Sequence, residues 1–269
     1  MNENGNPTGK MSKTGRQARI VDELQASPTL RVSELAAALG VSTETIRRDL
    51  DELDTKGLIN RTYGGAVRPF GHEPTIRERH QMLVPERESI AAAASRLVQH
   101  GEVLIVGGGA TTTHVARRLA AEKKDLKVFT DSFAVATVLA ANPTIDVMIC
   151  PGRYNGQEGC MCGSETINYL GGVYANHTIL GATGLTEDGA SDADMDAAAN
   201  YRAMAMRATA VTVVADHTKF DRVAVSVYAR WQSIARLVTD ESPQGRLRLA
   251  LERAGVEVIV APSPLRRTL

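Results

Sequence analysis

Two apolar stripes at helical spacing lie between Val32 and Leu53, and Gly40 separates them. The members of the stripes are Leu35, Ala36 and Leu39 in the first segment and Ile46, Leu50 and Leu53 in the second. Ser42 stands where it can cap the second helix, which we expect to begin at Thr43. Two short helices joined by such a tight turn predict a helix-turn-helix, whose second helix presents polar residues to the major groove of DNA.

The outward positions of that second helix carry hydroxyl and charged side chains. They are Ser42, Thr43, Glu44, Thr45, Arg47 and Arg48. Arg47 and Arg48 suit phosphates and guanine edges. A short strand over residues 58–63, followed by Gly64 and Gly65, predicts a wing beside the reading helix. The alternative is a small helical bundle that packs on another protein, with both arginines simply exposed to solvent.

Beyond residue 85, short apolar runs alternate with helical segments. The runs cover residues 103–106, 128–130, 147–150, 178–181, 211–215, 237–239 and 256–260. The helical segments cover residues 111–122, 132–141, 164–170, 194–208 and 244–254. Such alternation predicts a mostly parallel sheet covered by helices on both faces. The fold class is therefore α/β, an N-terminal winged helix-turn-helix joined to a larger Rossmann-like domain.

The chain divides into five predicted parts. They are a disordered tail over residues 1–15, the DNA-binding domain over 16–68 with its helix-turn-helix at about 30–49, a linker over 69–85, the α/β domain over 86–261, and a second tail over 262–269. The first tail has almost no apolar residue, so nothing would hold it in a folded core. The linker contains three prolines and leaves room for one helical turn.

The composition is that of an ordinary globular protein, with 43% hydrophobic and 23% charged residues. The 31 basic residues equal the 31 acidic ones, which argues against a non-specific polyanion binder but not against a local cationic face that reads DNA. No apolar run approaches the roughly 18–20 residues that span a membrane, and no apolar leader is present. Three cysteines give no disulfide framework. We therefore expect a cytoplasmic protein.

The most informative strand-to-helix junction follows the run at residues 103–106. It reads Gly107, Gly108, Gly109, Ala110, Thr111, Thr112 and Thr113. Glycines let a backbone approach a ligand closely, and threonine hydroxyls at a helix N-terminus favour an anion such as phosphate. Lys219 follows another buried run and could reach the same anion. The alternative is a tight turn that binds nothing.

Two nucleotide-binding motifs fit this loop less well. No Gly-Lys-Ser/Thr follows, which excludes a Walker A loop. A dinucleotide fingerprint matches in part, as Gly107-x-Gly109-x-x-Thr112 with Asp131 downstream, but Thr112 replaces the third glycine. A dinucleotide therefore stays open as an alternative ligand.

The remaining acidic and sulfur-containing side chains form no convincing metal or catalytic site. Asp192, Asp194 and Asp196 alternate like the start of a calcium loop but lack its glycine and glutamate, so we expect them to favour the N-terminus of the following helix. Cys160 and Cys162 have no second pair of ligands. The candidate general bases are Asp131, Glu165 and Asp188. No two of them form a recognisable acid/base set, and we expect no metal, no cofactor and no catalysis.

Motifs along most of the chain resemble those of the DeoR family of bacterial repressors. They are TIRRDLDEL, Gly-Leu-Ile, Arg61 and Gly-Gly-Ala in the first domain, and the Gly-rich loop, Thr130-Asp131-Ser132, Pro151-Gly152, Gly181-Ala182-Thr183-Gly184-Leu185 and Ala215-Asp216-His217-Thr218-Lys219-Phe220 in the second. The resemblance covers residues 16–261. It implies an effector domain similar to ribose-5-phosphate isomerase that binds phosphorylated sugars, and it adds Arg61 and Tyr63 of the wing to the DNA contacts.

The resemblance also implies which residues hold the effector. They are Gly107, Gly108, Gly109, Ala110, Thr111, Thr112, Asp131, Ser132, Gly152, Gly184 and Lys219. The sequence departs from the family pattern at four positions. The family usually has His at Tyr63, and often has Asp at Gly107, Asn at Asp131 and Lys at about Tyr201. Tyr63 can still donate to a phosphate oxygen, whereas the other departures bear on which sugar is bound.

We therefore expect a DNA-binding repressor of a carbohydrate or polyol operon. A phosphorylated sugar in the larger domain would control its affinity for double-stranded operator DNA, and a homodimer or homotetramer would present paired recognition helices. Two alternatives stay open. One is an active phosphosugar isomerase-like enzyme with a DNA-binding tether, and the other is a repressor that senses a dinucleotide.

Overall fold

The structure is a computed structural model that describes residues 12–26, 29–55, 59–62, 64–67 and 74–262. The chain divides into two compact units, Met1–His72 and Glu73–Leu269. Among the residues described, no helix is both long enough and apolar enough to cross a membrane.

The first unit is a winged helix-turn-helix, as predicted. Its helices are α1 (Lys13–Ala26), α2 (Val32–Leu39) and α3 (Thr43–Thr55), and its strands are β1 (Thr29–Arg31), β2 (Asn60–Thr62) and β3 (Gly65–Val67). The strands form an antiparallel sheet in the order β1-β3-β2, of which β1 was not predicted. Gly40 ends α2 in the left-handed conformation, with φ of 63°, and the hydroxyl of Ser42 accepts a hydrogen bond from the backbone N–H of Thr45 at 3.2 Å.

The recognition helix α3 is held by apolar and ionic contacts. Ile46, Leu50 and Leu53 are buried in the small core, as their spacing predicts. Asp49 on the same helix is also buried, and the guanidinium of Arg16 on α1 forms an ion pair with it. These contacts fix the orientation of α3 and leave its opposite face in solvent.

The second unit contains a seven-stranded parallel sheet. Its helices are α4 (Ile76–Arg79), α5 (Val84–Ser95), α6 (Ala110–Glu122), α7 (Phe133–Leu139), α8 (Ser164–Gly171), α9 (Met195–Ala205) and α10 (Gly245–Ala254). Its strands are β4 (Val103–Val106), β5 (Lys127–Thr130), β6 (Asp146–Ile149), β7 (Arg153–Asn155), β8 (Cys160–Cys162), β9 (Ala175–Leu180), β10 (Gly184–Thr186), β11 (Gly189–Asp192), β12 (Ala208–Val214), β13 (Ser226–Ala229), β14 (Arg236–Thr239) and β15 (Glu257–Val260). The order in the sheet is β15-β14-β12-β9-β4-β5-β6, and each of the seven predicted apolar runs contributes a strand.

Helices cover both faces of this sheet. Leu104 of β4 packs in a cluster with residues of α5, α6 and α7, whereas its neighbour Ile105 packs in a second cluster with residues of α8, α9 and α10. Successive side chains of a strand point to opposite faces, so a strand buried on both faces must be apolar throughout. The carboxyl ends of β4, β9 and β12 meet at one edge, where the Gly-rich loop also lies.

Two smaller sheets were not predicted. Strands β7 and β8 form an antiparallel hairpin, and β10, β11 and β13 form a three-stranded antiparallel sheet. The stretch at residues 69–85, predicted as a linker, contains the single turn of α4, and its residues from Glu73 onward belong to the second unit.

Candidate functional site

The predicted DNA-reading residues lie on the solvent face of α3. The side chains of Arg47 and Arg48 are 57% and 77% exposed. Ser42, Thr43 and Glu44 are exposed as well, and Thr45 is half-buried. The carboxylate of Glu44 lies 3.7 Å from the guanidinium of Arg47 and 3.5 Å from that of Arg48. Exposed pairs of this kind contribute little to stability, so DNA phosphates can displace Glu44 at small cost.

The two wing residues are only partly covered by the structure. Arg61 lies in β2, opposite Ala66 of β3, but its side chain lies outside what is described. Tyr63 lies outside the described residues altogether. The role of both in DNA binding stays a prediction.

A small pocket lies at the carboxyl edge of the parallel sheet. Its lining residues are Arg79, Arg87, Gly108, Gly109, Ala110, Thr111, Gly181, Ala182, Asp192, Tyr201 and Lys219. Five of the predicted effector residues are therefore brought together here, namely Gly108, Gly109, Ala110, Thr111 and Lys219. The first backbone N–H groups of a helix have no partner within the helix, so the start of α6 offers donors and a partial positive charge to an anion.

Asp131 supports the loop from behind the pocket. One oxygen of its fully buried carboxylate accepts a hydrogen bond from the backbone N–H of Gly108 at 2.9 Å, and the other accepts one from the amide of Asn200 at 2.9 Å. Burial raises the pKa of Asp131 to about 6. Because both oxygens already have partners within the protein, the carboxylate positions the loop and does not line the pocket.

The threonines at the start of α6 have different roles. Thr111 lines the pocket, whereas the hydroxyls of Thr112 and Thr113 donate to the carbonyl of Gly109 at 3.0 and 2.7 Å. The carbonyl of Gly108 accepts a hydrogen bond from the hydroxyl of Tyr201 at 2.7 Å. The loop is therefore fixed by its own side chains before any ligand arrives, which favours binding because little order is lost.

Besides Thr112 and Asp131, four predicted effector residues lie outside this pocket, and each has a local structural role. Ser132 caps α7 by accepting from the backbone N–H of Val135 at 3.4 Å. A Cβ at Gly107 would lie 2.8 Å from a carbon of the Tyr201 ring. Gly152 and Gly184 also leave no room for a side chain. An added Cβ would lie 2.2 Å from the hydroxyl of Thr166 at Gly152 and 2.0 Å from the carbonyl oxygen of Arg222 at Gly184.

The pocket also contains charged residues that sequence reasoning missed. The side chain of Arg87 is only 4% exposed, and its guanidinium lies 3.5 Å from the carboxylate of Asp216. Arg79 forms an ion pair with Glu158. Asp192 lies in the wall, and burial raises its pKa to about 6. With the buried Lys219, three cationic side chains therefore line a pocket that one carboxylate shares.

Two partly enclosed histidines, His80 and His114, lie close enough to arginines for those charges to affect their pKa. Burial, followed by the charges of Arg117 and Arg87, lowers the pKa of His114 to about 4. Burial, followed by the same two charges, also lowers the pKa of His80. The ring atom Nε2 of His114 is buried without a hydrogen-bond partner. At neutral pH both rings are therefore uncharged, and His114 stays so well below pH 6.

We expect His114 to reduce the stability of the protein in acid. Between about pH 6.5 and pH 4 this ring is protonated in the unfolded chain but not in the folded one, so the unfolded state binds more protons and stability falls as pH falls. The contribution is at most about 3 kcal/mol. Urea unfolding of wild type and His114→Gln at several pH values should show the variant losing less stability across this window. Parallel pH profiles for the two proteins would contradict the expectation.

The other candidate chemical groups do not converge. Glu165 is exposed on α8 and Asp188 is exposed between β10 and β11, whereas Asp131 is fully buried. Among the described residues, the imidazole of His217 and the carboxylates of Asp240 and Glu241 lie close enough to share an ion. His217 already has a partner there, since its Nδ1 lies 2.5 Å from Asp240. Desolvation lowers the pKa of this ring, but the hydrogen bond and charge of Asp240, with the charges of Glu241 and Asp216, outweigh it and raise the pKa.

A winged helix-turn-helix with two exposed arginines, followed by an α/β unit with a cationic pocket, defines a ligand-responsive DNA-binding regulator. Two family profiles match the sequence. The DeoR-like helix-turn-helix domain matches residues 16–69, and the DeoR C terminal sensor domain matches residues 83–241.

Two repressors of known name give the same assignment, and a solved structure shows a weaker likeness. The chain is 30% identical to the HTH-type transcriptional repressor CsqR of Escherichia coli K12, over 86% of this chain and 89% of that protein. It is also 30% identical to the glycerol-3-phosphate regulon repressor of Haemophilus influenzae, over 87% of this chain and 92% of that protein. Ribose 5-phosphate isomerase A from Methanocaldococcus jannaschii aligns over 51% of this chain and 54% of its own, with 15% identity and a TM-score of 0.38.

The chain therefore belongs to the DeoR family. It is a DNA-binding transcriptional repressor with a C-terminal sensor domain, and its named relatives are repressors, not enzymes.

Proposed function

We propose that this repressor controls a carbohydrate or polyol operon and that a phosphorylated sugar or polyol in the pocket changes its affinity for the operator. The observation that carries the proposal is the meeting of the α6 N-terminus with three buried or nearly buried cations, Arg79, Arg87 and Lys219. A phosphate carries nearly two negative charges and three acceptor oxygens, so it satisfies both the helix N–H groups and the cations. The name of the Haemophilus influenzae relative, a glycerol-3-phosphate regulon repressor, supports this ligand class.

The DNA-binding side of the proposal rests on α3. The residues that would contact the operator are Ser42, Thr43, Glu44, Thr45, Arg47, Arg48, Arg61 and Tyr63. A homodimer or homotetramer would place two such helices about 34 Å apart, or at a multiple of that spacing, on one side of the DNA. The effector can shift operator affinity only by the difference between its affinities for two arrangements of the subunits, typically about 1–3 kcal/mol. Because the target is chromosomal DNA, we place the protein in the cytoplasm.

A ligand screen tests the effector class. Full-length protein should be titrated in thermal-shift experiments with a panel of sugar and polyol phosphates, with the same compounds lacking phosphate, and with NAD and NADH. We expect stabilisation by one or more phosphate esters and none by the unphosphorylated controls, because the pocket provides cations and helix N–H groups for the phosphate. Stabilisation by NAD or NADH alone would favour a dinucleotide sensor instead.

The same samples test for catalysis. We expect the bound ester to stay chemically unchanged in deuterated water when followed by NMR, because Asp192 supplies the one carboxylate among the described residues that line the pocket. Exchange of the proton next to the carbonyl, at a rate proportional to protein, would show isomerase activity.

A further inference from the structure

The short helix α4 forms part of the wall of the effector pocket. Arg79, its last residue, lines the pocket and is paired with Glu158 in the turn between β7 and β8. The cavity measures about 30 Å³, which is room for about two water molecules. Small-molecule sites are usually about ten times larger. A movement of this wall would enlarge the space available to a phosphate ester.

Helix α4 is the part of the wall that is best able to move. None of its four residues belongs to the apolar core, and the side chain of Arg79, which is only 12% exposed, is held by its ion pair. It is instead a self-contained turn, because the backbone N–H of Thr75 donates to the carboxylate of Glu78 and the backbone N–H of Glu78 donates to the hydroxyl of Thr75. The opposite wall, at the start of α6, is anchored in the core through Thr112 and Val115.

Polar contacts attach α4 to the rest of the unit. Besides the pair with Glu158, the guanidinium of Arg87 donates to the carbonyl oxygens of Arg79 and Met82, at the end of the turn. Between α4 and α5, Leu83 adopts a left-handed backbone with φ of 50°, a conformation that branched side chains disfavour. Movement of α4 would therefore replace some polar contacts by others and would allow the backbone of Leu83 to leave its strained conformation.

A phosphate in the pocket would compete with Glu158 for Arg79. The guanidinium can bind carboxylate or phosphate with two parallel hydrogen bonds, and a phosphate brings more negative charge than a carboxylate does. Burial, and after it the charges of nearby arginines that include Arg87, lowers the pKa of both His80 and His114, and the same positive charges would attract an added anion.

We propose that α4 is a lid over the effector pocket. When the effector binds, Arg79 of the lid leaves the carboxylate of Glu158 and binds the phosphate of the effector instead. The inference rests on the proposed function, because it requires an anionic effector in this pocket. The first unit ends at His72 and α4 begins at Ile76. The lid therefore lies close in sequence to the end of the DNA-binding unit.

The test measures binding and lid protection in the same full-length protein. The probes are glycerol 3-phosphate, glucose 6-phosphate and inorganic phosphate, titrated by calorimetry. Hydrogen–deuterium exchange then follows the peptide over residues 74–83 with and without the best-binding probe. In wild type we expect the probe to change exchange in this peptide. In Arg79→Gln we expect binding to weaken at least about tenfold, because a charge-assisted contact is lost, and the exchange change to disappear.

Two further variants sharpen the result. Arg77→Gln removes an exposed arginine from the same turn and should behave as wild type. Glu158→Gln removes the competing carboxylate charge and should tighten binding severalfold. If Arg79→Gln does not fold, the affinity of Glu158→Gln for the probe provides the test. Affinity equal to or weaker than that of wild type would then overturn the lid proposal.

The outcomes separate the inference from the proposed function. Wild-type affinity and wild-type exchange in Arg79→Gln would overturn the lid while leaving the phosphate site intact. If wild type binds none of the three probes, the proposed function fails and the lid fails with it.

Discussion

Replacing Thr111 by aspartate is expected to leave the protein folded and bound to its operator but unresponsive to its effector. Thr111 lines the pocket in the first turn of α6, where a carboxylate is favourable for the helix because of the positive end of its dipole. The same carboxylate would lie about 4–5 Å from a bound phosphate, and repulsion of about 3–4 kcal/mol corresponds to at least a hundredfold loss of affinity. Calorimetry with the best-binding phosphate ester gives the loss directly.

The matched control is Thr111→Asn, which has the same size and no charge. We expect it to lose far less affinity than the aspartate, and equal losses would show that shape, not charge, is read at this position. Gly109 is a poorer place for the test. Its φ of 122° is a backbone conformation that other residues rarely adopt, so any substitution there strains the loop as well as the ligand site.

Alanine at Arg47 and Arg48 should have the other large effect, on operator binding. Each arginine is exposed on α3, and the loss of either should cost about 1–3 kcal/mol. The arginine that reads a base should relax specificity at one base pair. Loss of the arginine that touches phosphate should weaken binding to all sequences alike. It should also reduce the slope of log affinity against log salt concentration by about one. The measurement is fluorescence anisotropy at several salt concentrations, on sites that wild type selects from random DNA.

An arginine in the other unit provides the control for this experiment. Arg118→Ala on α6 removes an exposed arginine of similar environment from the sensor unit and should leave operator affinity unchanged. Wild-type affinity in both Arg47→Ala and Arg48→Ala would show that α3 does not read the operator.

The parallel sheet could be predicted from the sequence because of how it is buried. Leu104 and Ile105 enter different cores, and the same holds along each central strand, so the apolar runs are unbroken and easy to find. Strands β7 and β10 give no such signal. Arg153 and Tyr154 of β7 are exposed, and β10 is only three residues long. Short strands that pair locally depend on turns and neighbours, which a single sequence does not reveal.

The pocket was predictable only where a local motif marks it. The Gly-rich loop identified the start of α6, but Arg79, Arg87 and Asp192 reach the pocket from distant parts of the chain. One signal for Arg87 was present, since it lies on the same helical stripe as Ile90, Ala91 and Ala94 of α5. A charged residue on the buried face of a helix is almost always paired, and Asp216 is its partner here. No local pattern distinguishes Asp192, which occupies the wall, from its neighbours.

Gly107 and Tyr201 constrain the order in which this sequence can change. The ring of Tyr201 fills the space that any side chain at position 107 would need, and its hydroxyl holds the carbonyl of Gly108. A larger residue at 107 is therefore tolerated only after the ring has gone, whereas loss of the ring alone leaves a gap and a carbonyl without its donor. Changes at these two positions are therefore coupled, and a stepwise replacement of both residues is easier in one order than in the other.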